Sequence, residues 1–169
     1  MTEITPEAAD ALANGAELAP QAGILAQYTK DLSFENPNAP ASLQMQSQPK
    51  IEIHVNVNAR SGGEDMYEVE LKIDATARNA ENDQLAFQVE LVYAGLFRLA
   101  GAPQEAIEPF LIVEAPRILF PFARRVVADA VRDGGFPPLM LDNIDFGGLY
   151  IQQLEARNGT GQQPPVGNA

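Results

Sequence analysis

Residues 67–78 read Tyr67-Glu-Val-Glu-Leu-Lys-Ile-Asp-Ala-Thr-Ala-Arg78, and the order of types is strict. Tyr67, Val69, Leu71, Ile73, Ala75 and Ala77 fall on one parity, Glu68, Glu70, Lys72, Asp74, Thr76 and Arg78 on the other. A period of two marks a strand with one face in a core and one in water, the usual state of an antiparallel sheet. The same alternation lies on either side. Upstream, Ile51, Ile53, Val55 and Val57 oppose Glu52, His54, Asn56 and Asn58, and Arg60 to Asp65 read as a turn. Downstream, after a turn at Asn79 to Asp83, Leu85, Phe87, Val89, Leu91 and Tyr93 oppose Ala86, Gln88, Glu90 and Val92. A fourth strand precedes these, with Tyr28, Lys30, Leu32 and Phe34 expected on one face and Thr29, Asp31, Ser33 and Glu35 on the other. Asn36-Pro-Asn-Ala-Pro40 ends it, because proline cannot donate to a ladder.

Beyond residue 100 the period lengthens. Pro103-Gln-Glu-Ala-Ile-Glu108 opens like a helix, with proline at the start and acids in the first turn. Leu119, Phe122, Ala123, Val126, Val127 and Ala130 recur at helical spacing and predict one buried stripe, which Gly134-Gly135 terminates. Phe136 to Leu141 form an apolar connection, and a last short helix carries Phe146, Leu149, Tyr150 and Leu154. Strands followed by helices predict an α+β domain: a four-stranded antiparallel sheet with helices on one face. Residues 1–22 and 158–169 are expected to be mobile tails, acidic at the front and Gly/Pro/Gln-rich at the back, around a single domain at 23–157.

Composition narrows the function. The 169 residues carry a net charge of −12, the wrong sign for a nucleic-acid partner or an anionic membrane surface. There is no cysteine, so disulfides, thiolate catalysis and cysteine-based zinc sites are excluded. Residues 1–22 contain no Lys or Arg and do not fit a secretory signal, and no apolar run reaches membrane-spanning length, so a cytoplasmic protein is expected. The single histidine, His54, sits on a polar strand face with no nucleophile-and-carboxylate arrangement around it. Neither a metal-ligand motif nor a phosphate-binding loop occurs. We therefore expect no enzyme, no catalytic residue, no metal and no cofactor.

Two features remain. Asp31, Glu35, Glu52, Glu68, Glu70, Asp74 and Glu90 share the predicted outer face with only Lys72 and Arg78 against them, which is either a solvated face or a docking surface for a basic partner. The apolar content of the helical half also exceeds what two layers bury, leaving either subunit contacts or a groove for extended apolar chain.

Several strings resemble one family. Tyr28-Thr-Lys-Asp-Leu-Ser-Phe-Glu-Asn-Pro-Asn-Ala-Pro40, Gly95-Leu-Phe97, Ile118-Leu-Phe-Pro-Phe-Ala-Arg124, Gly135-Phe-Pro-Pro-Leu139 and Asp145-Phe146 are similar to the SecB protein-export chaperones, over about Tyr28 to Leu154. The resemblance implies an ATP-independent cytosolic holdase that keeps precursor proteins unfolded and delivers them to the SecA translocation ATPase. It implies a homotetramer, a dimer of dimers with helices between two eight-stranded sheets. By position in the matching strings, SecA binding falls on Asp31, Glu35 and Glu90, and the client groove on Ile51, Ile53, Val55, Phe146, Tyr150 and Leu154. Two positions depart from the family pattern: Gln88 stands where an apolar residue is expected, and Ala115 where many members carry cysteine. An acidic adaptor for a single basic protein, without chaperone activity, is the alternative.

Overall fold

The computed structural model describes residues 21–159, the side chain of Gln21 excepted. The tail expectation for residues 1–20 and 160–169 lies outside the described residues. Strand β1 spans Gln21–Glu35, β2 Lys50–Gly63, β3 Met66–Arg78 and β4 Leu85–Ala100. Helix α1 (Gln104–Pro109) runs through a π turn at Phe110–Glu114 into the long α2 (Ala115–Asp133), and α3 covers Phe146–Gly159. Residues 21–22 thus lie in β1 and residues 158–159 in α3.

The four strands form one antiparallel sheet in the order β1-β4-β3-β2. β2 to β4 are successive hairpin partners, whereas β1 must cross to the far side of β4 through residues 36–49, which include a short 3-10 turn at Ala41–Gln44. In β3 the alternation holds residue by residue: Val69, Leu71, Ile73, Ala75 and Ala77 are fully buried and face the helices. Each such Leu, Val or Ile contributes about 1.5–3 kcal/mol by leaving water.

β1 departs from the expectation. Its pairing with β4 skips Lys30, between Thr29 opposite Tyr93 and Asp31 opposite Val92. Such a bulge inserts one unpaired residue and reverses the parity of the residues after it. Leu32 and Phe34 therefore pair with Leu91 and Val89 on the helix-facing side, while Tyr28 pairs with Ala94 on the outer one. Tyr28 and Lys30, expected beside Leu32 and Phe34, lie on the opposite face from them.

The phase of α2 also differs. Pro116, Leu119, Phe120, Ala123, Val127 and Val131 are buried, but Phe122, stacked on Tyr93 of β4, is 44% exposed and Val126 only half-buried. Apolar residues occupy more than one side of this helix, so spacing alone leaves two stripes possible, and packing against the sheet and α3 together chooses the one that starts at Pro116. Gly95 sets how closely α2 approaches. A methyl group there would stand 2.7 Å from Phe97 Cε2 and 2.8 Å from Leu119 Cδ2. We expect Gly95→Ala to destabilise the fold by about 1–3 kcal/mol through overpacking, read as a lower denaturation midpoint; an unchanged midpoint would mean that the crossing is looser than these distances.

α2 stops in a Schellman motif: the amide of Phe136 donates to Val131 and that of Gly135 to Arg132. Gly135 has φ +93°, a conformation that suits glycine. The chain then turns back under the crossover, where the rings of Phe34, Phe87 and Phe136 pack at centroid distances of 6.0 and 4.9 Å.

Candidate functional site

The outer face of the sheet carries the acids, and strand register decides how they group. The β1–β4 pairing puts Ser33 opposite Glu90, with Asp31 and Glu35 two residues to either side. Glu90 is thus the diagonal neighbour of both, at the roughly 7–8 Å typical of that position. Asp31 and Glu35 are exposed and Glu90 half-buried. None of the three enters an ion pair among the described residues, although the Gln88 amide donates to Glu90 at 3.3 Å. The row continues through Asp74, opposite Glu90 on β3, to His54 on β2.

The other end of the same face is neutralised. Lys30 Nζ lies 2.7 Å from Glu68 and also contacts Glu70, and Arg60 reaches Glu68 at 3.3 Å and Glu70 at 2.6 Å. The Tyr28 hydroxyl donates to Glu68 as well. Hydrogen bonds from Lys30 and Tyr28 hold the Glu68 carboxyl at about 2, against the usual 4.5. The bond to Glu68 in turn raises the Tyr28 pKa, and bonds to Glu68 and Glu70 raise that of Lys30. Because the folded pKa of Glu68 is depressed, its stabilising contribution is present above the ordinary carboxylate pKa and is lost as the pH falls toward 2. Lys30 and Arg60 therefore join Lys72 and Arg78 in opposing the acids of this face. The Lys30 bulge hides the first of them from a reading by parity.

On the helix-facing side, edge strand β2 is only partly covered. Ile51 is 39% and Ile53 44% exposed, although both point to the same side as the buried residues of β3. Three depressions succeed one another along this strand. The first, a mostly apolar cleft of about 390 Å³, joins Ile51 to Leu43 and Met45 of the crossover, to Phe87, and to Phe136 and Leu139. The second, with about 30 Å³ of free space, brings Val55 and Val57 against Ile112, Phe146, Leu149 and Tyr150. The third, of about 540 Å³, lies where Val57 and Ala59 face Ile107 and Leu111.

Of the six predicted groove residues, Val55, Phe146 and Tyr150 thus come together. Ile51 belongs to the first cleft, Ile53 lies between the first two, and half-buried Leu154 stands one helical turn beyond Tyr150, outside the three depressions. Phe146 is buried, its ring edge-on to Phe120 at 6.1 Å, so it forms the floor rather than a wall. Leu43, Met45 and Val57 are additions to the predicted set. The crossover has no periodicity to reveal the first two, although its three prolines signal a structured turn.

Residues 15–157 match the family of the preprotein translocase subunit SecB. The chain belongs to the SecB family. Its curated relatives include the protein-export protein SecB of Rhizorhabdus wittichii, 54% identical with 96% of each chain covered, and that of Zymomonas mobilis, 55% identical over 89% of this chain and 90% of the relative. Among solved structures, a SecB-like chaperone of Mycobacterium tuberculosis in complex with a peptide from an antitoxin aligns with a TM-score of 0.61. That alignment covers 73% of this chain and 90% of the other at 16% identity, a likeness of fold. The role of this SecB chain is that of a chaperone in protein export. Among the described residues no helix is long and apolar enough to cross a membrane.

Proposed function

We propose that this chain is an ATP-independent cytoplasmic holdase that binds unfolded precursor proteins along the apolar side of β2 and hands them to SecA. The observation that carries the reading is the row Ile51, Ile53 and Val55, left partly open to solvent although the β3 residues opposite them, Ala77, Ala75 and Ile73, are fully buried. A holdase must accept many unrelated sequences, so its affinity has to come from burial without direction, at roughly 25 cal/mol per Å². Separate depressions strung along one strand suit an extended client, because several weak contacts on one chain combine through effective concentration. Val55, Phe146 and Tyr150 form the narrow middle of the trough, and Leu154 extends it along α3.

SecA docks on the other side of the sheet, at Asp31, Glu35 and Glu90. What supports this is that the three acids cluster by register and are unpaired, so their field is available to a basic partner. Four chains form a dimer of dimers. The exposed Phe122, whose ring stacks on Tyr93 of β4 at 6.4 Å, and the half-buried Val126 are the apolar surface of α2 that such an assembly covers. The deciding experiment is light scattering of a denatured protein diluted into buffer without nucleotide. This chain should suppress aggregation at near-stoichiometric amounts, and for several unrelated clients. Suppression that requires ATP, or that is confined to one client, would exclude a holdase.

A further inference from the structure

The outer face holds two groups of carboxylates that differ in how they are compensated. Glu68 and Glu70 each contact both Lys30 and Arg60, whereas Asp31, Glu35 and Glu90 contact no cation among the described residues. We propose that Lys30, together with Arg60, is a specificity-determining residue that masks Glu68 and Glu70 and thereby confines the docking of a basic partner to the Asp31, Glu35 and Glu90 end of the sheet. The inference rests on the docking reading above and adds to it the boundary of the footprint.

The geometry is specific to the bulge. Lys30 is, with Leu25, one of two residues of β1 that the ladder skips, free of the pairing that fixes its neighbours, and its ammonium crosses β4 to reach β3. Strands two apart in a sheet are separated by roughly 9–10 Å, about the reach of a lysine aided by the target carboxylate. Between Tyr28 and Glu70 the outer-facing residue of β4 is Ala94, and between Ala26 and Glu68 it is Leu96, so no intervening charge competes for the ammonium. From the opposite edge Arg60, directly across from Glu68 in the β2–β3 ladder, closes on the same two carboxylates. A partner approaching the face meets a neutral end and an anionic end that adjoin at the bulge. Such a step in charge sets register and orientation as well as attraction.

The chain has no cysteine, so a single introduced cysteine can carry a fluorescent probe at either end. Thr76→Cys, in the row of Glu35 and Gln88, reports on the anionic end, and Asn58→Cys, in the row of Tyr28 and Glu70, reports on the masked end. With Lys30 present, titration with SecA should change the Thr76 probe and leave the Asn58 probe silent. Lys30→Gln should make the Asn58 probe respond and tighten binding about two- to fivefold, the range of one exposed charge pair, while Lys30→Arg should behave as the unaltered chain. Arg60→Gln, on the other edge strand, should act in the same direction as Lys30→Gln and guards against an effect of the bulge alone. An Asn58 probe that responds with Lys30 in place, or stays silent in both glutamine variants, overturns the masking. Asp31→Lys with Glu35→Lys in the same titration separates the two claims: if the Thr76 probe still responds there, the docking reading itself has failed.

Discussion

Replacing Asp31 and Glu35 together by lysine should abolish SecA binding while client holding stays intact. The double variant changes the charge of the outer face by four units at its uncompensated end. Glu90 would be left between two cations that compete with a basic partner for it. Close charge pairs at interfaces couple by about 1.5 kcal/mol or more each, so two reversals should cost at least about 100-fold in affinity. The fold should tolerate the change, because both side chains are exposed and neither makes an ion pair; substitutions at such positions stay within about 0.5 kcal/mol. Titration calorimetry with SecA, run beside the aggregation assay, reads both surfaces at once. Unchanged SecA affinity would remove the acids from the docking role. A parallel loss of client holding would mean that the two faces do not act separately.

The converse variant is Tyr150→Asp, supported by Ile53→Asp. Tyr150 is half-buried in the narrow middle of the trough, against Val55 and Phe146. An aspartate there removes apolar contact area and sets a charge where a client would bury its side chains, for which no cation is at hand in the lining of that depression. Losing one large apolar contact of about 1.5–3 kcal/mol corresponds to roughly 10- to 100-fold weaker client binding. Ile53 is already well exposed, so its replacement tests the same trough at little risk to the core. Aggregation suppression should fall in both variants while SecA affinity stays the same. Full suppression in both would detach the trough from client binding, and loss of SecA binding alone would mean that the two surfaces have been exchanged.

Much of this architecture was legible in the sequence, for a local reason. β2, β3 and β4 are read from residues i and i+2, and side chains alternate wherever the ladder is unbroken, so the two faces of β3 could be written down from its sequence. β1 defeated the same rule at Lys30, because a bulge leaves no sign in the alternation itself; it shows only when Asp31 is seen opposite Val92. The masking of Glu68 and Glu70 was hidden for the same reason. Their cations lie 38 to 40 residues away on β1 and 8 to 10 away on β2, and only register brings them together. α2 misled in phase: its apolar residues cover more than one side, and packing decides between them, with Phe120 buried beside Phe146 of α3 and Phe122 left exposed beside Tyr93. The trough was read in part. Val55, Phe146 and Tyr150 meet as expected, but the cleft at Ile51 is completed by Leu43 and Met45 from an aperiodic crossover.

The bulge in β1 also governs which changes in length this chain can survive. Inserting or deleting one residue inside β3 would exchange its greasy and charged sides wholesale, sending Glu70 toward α2 and Leu71 into water. Both proposed surfaces would vanish in one event. At Lys30 the ladder already absorbs an unpaired residue, with Thr29 opposite Tyr93 and Asp31 opposite Val92, so a deletion there would close the ladder and leave the residues on both sides in register. Tolerance of indels should therefore be concentrated in one outer strand, with the central β3 fixed in length to the residue.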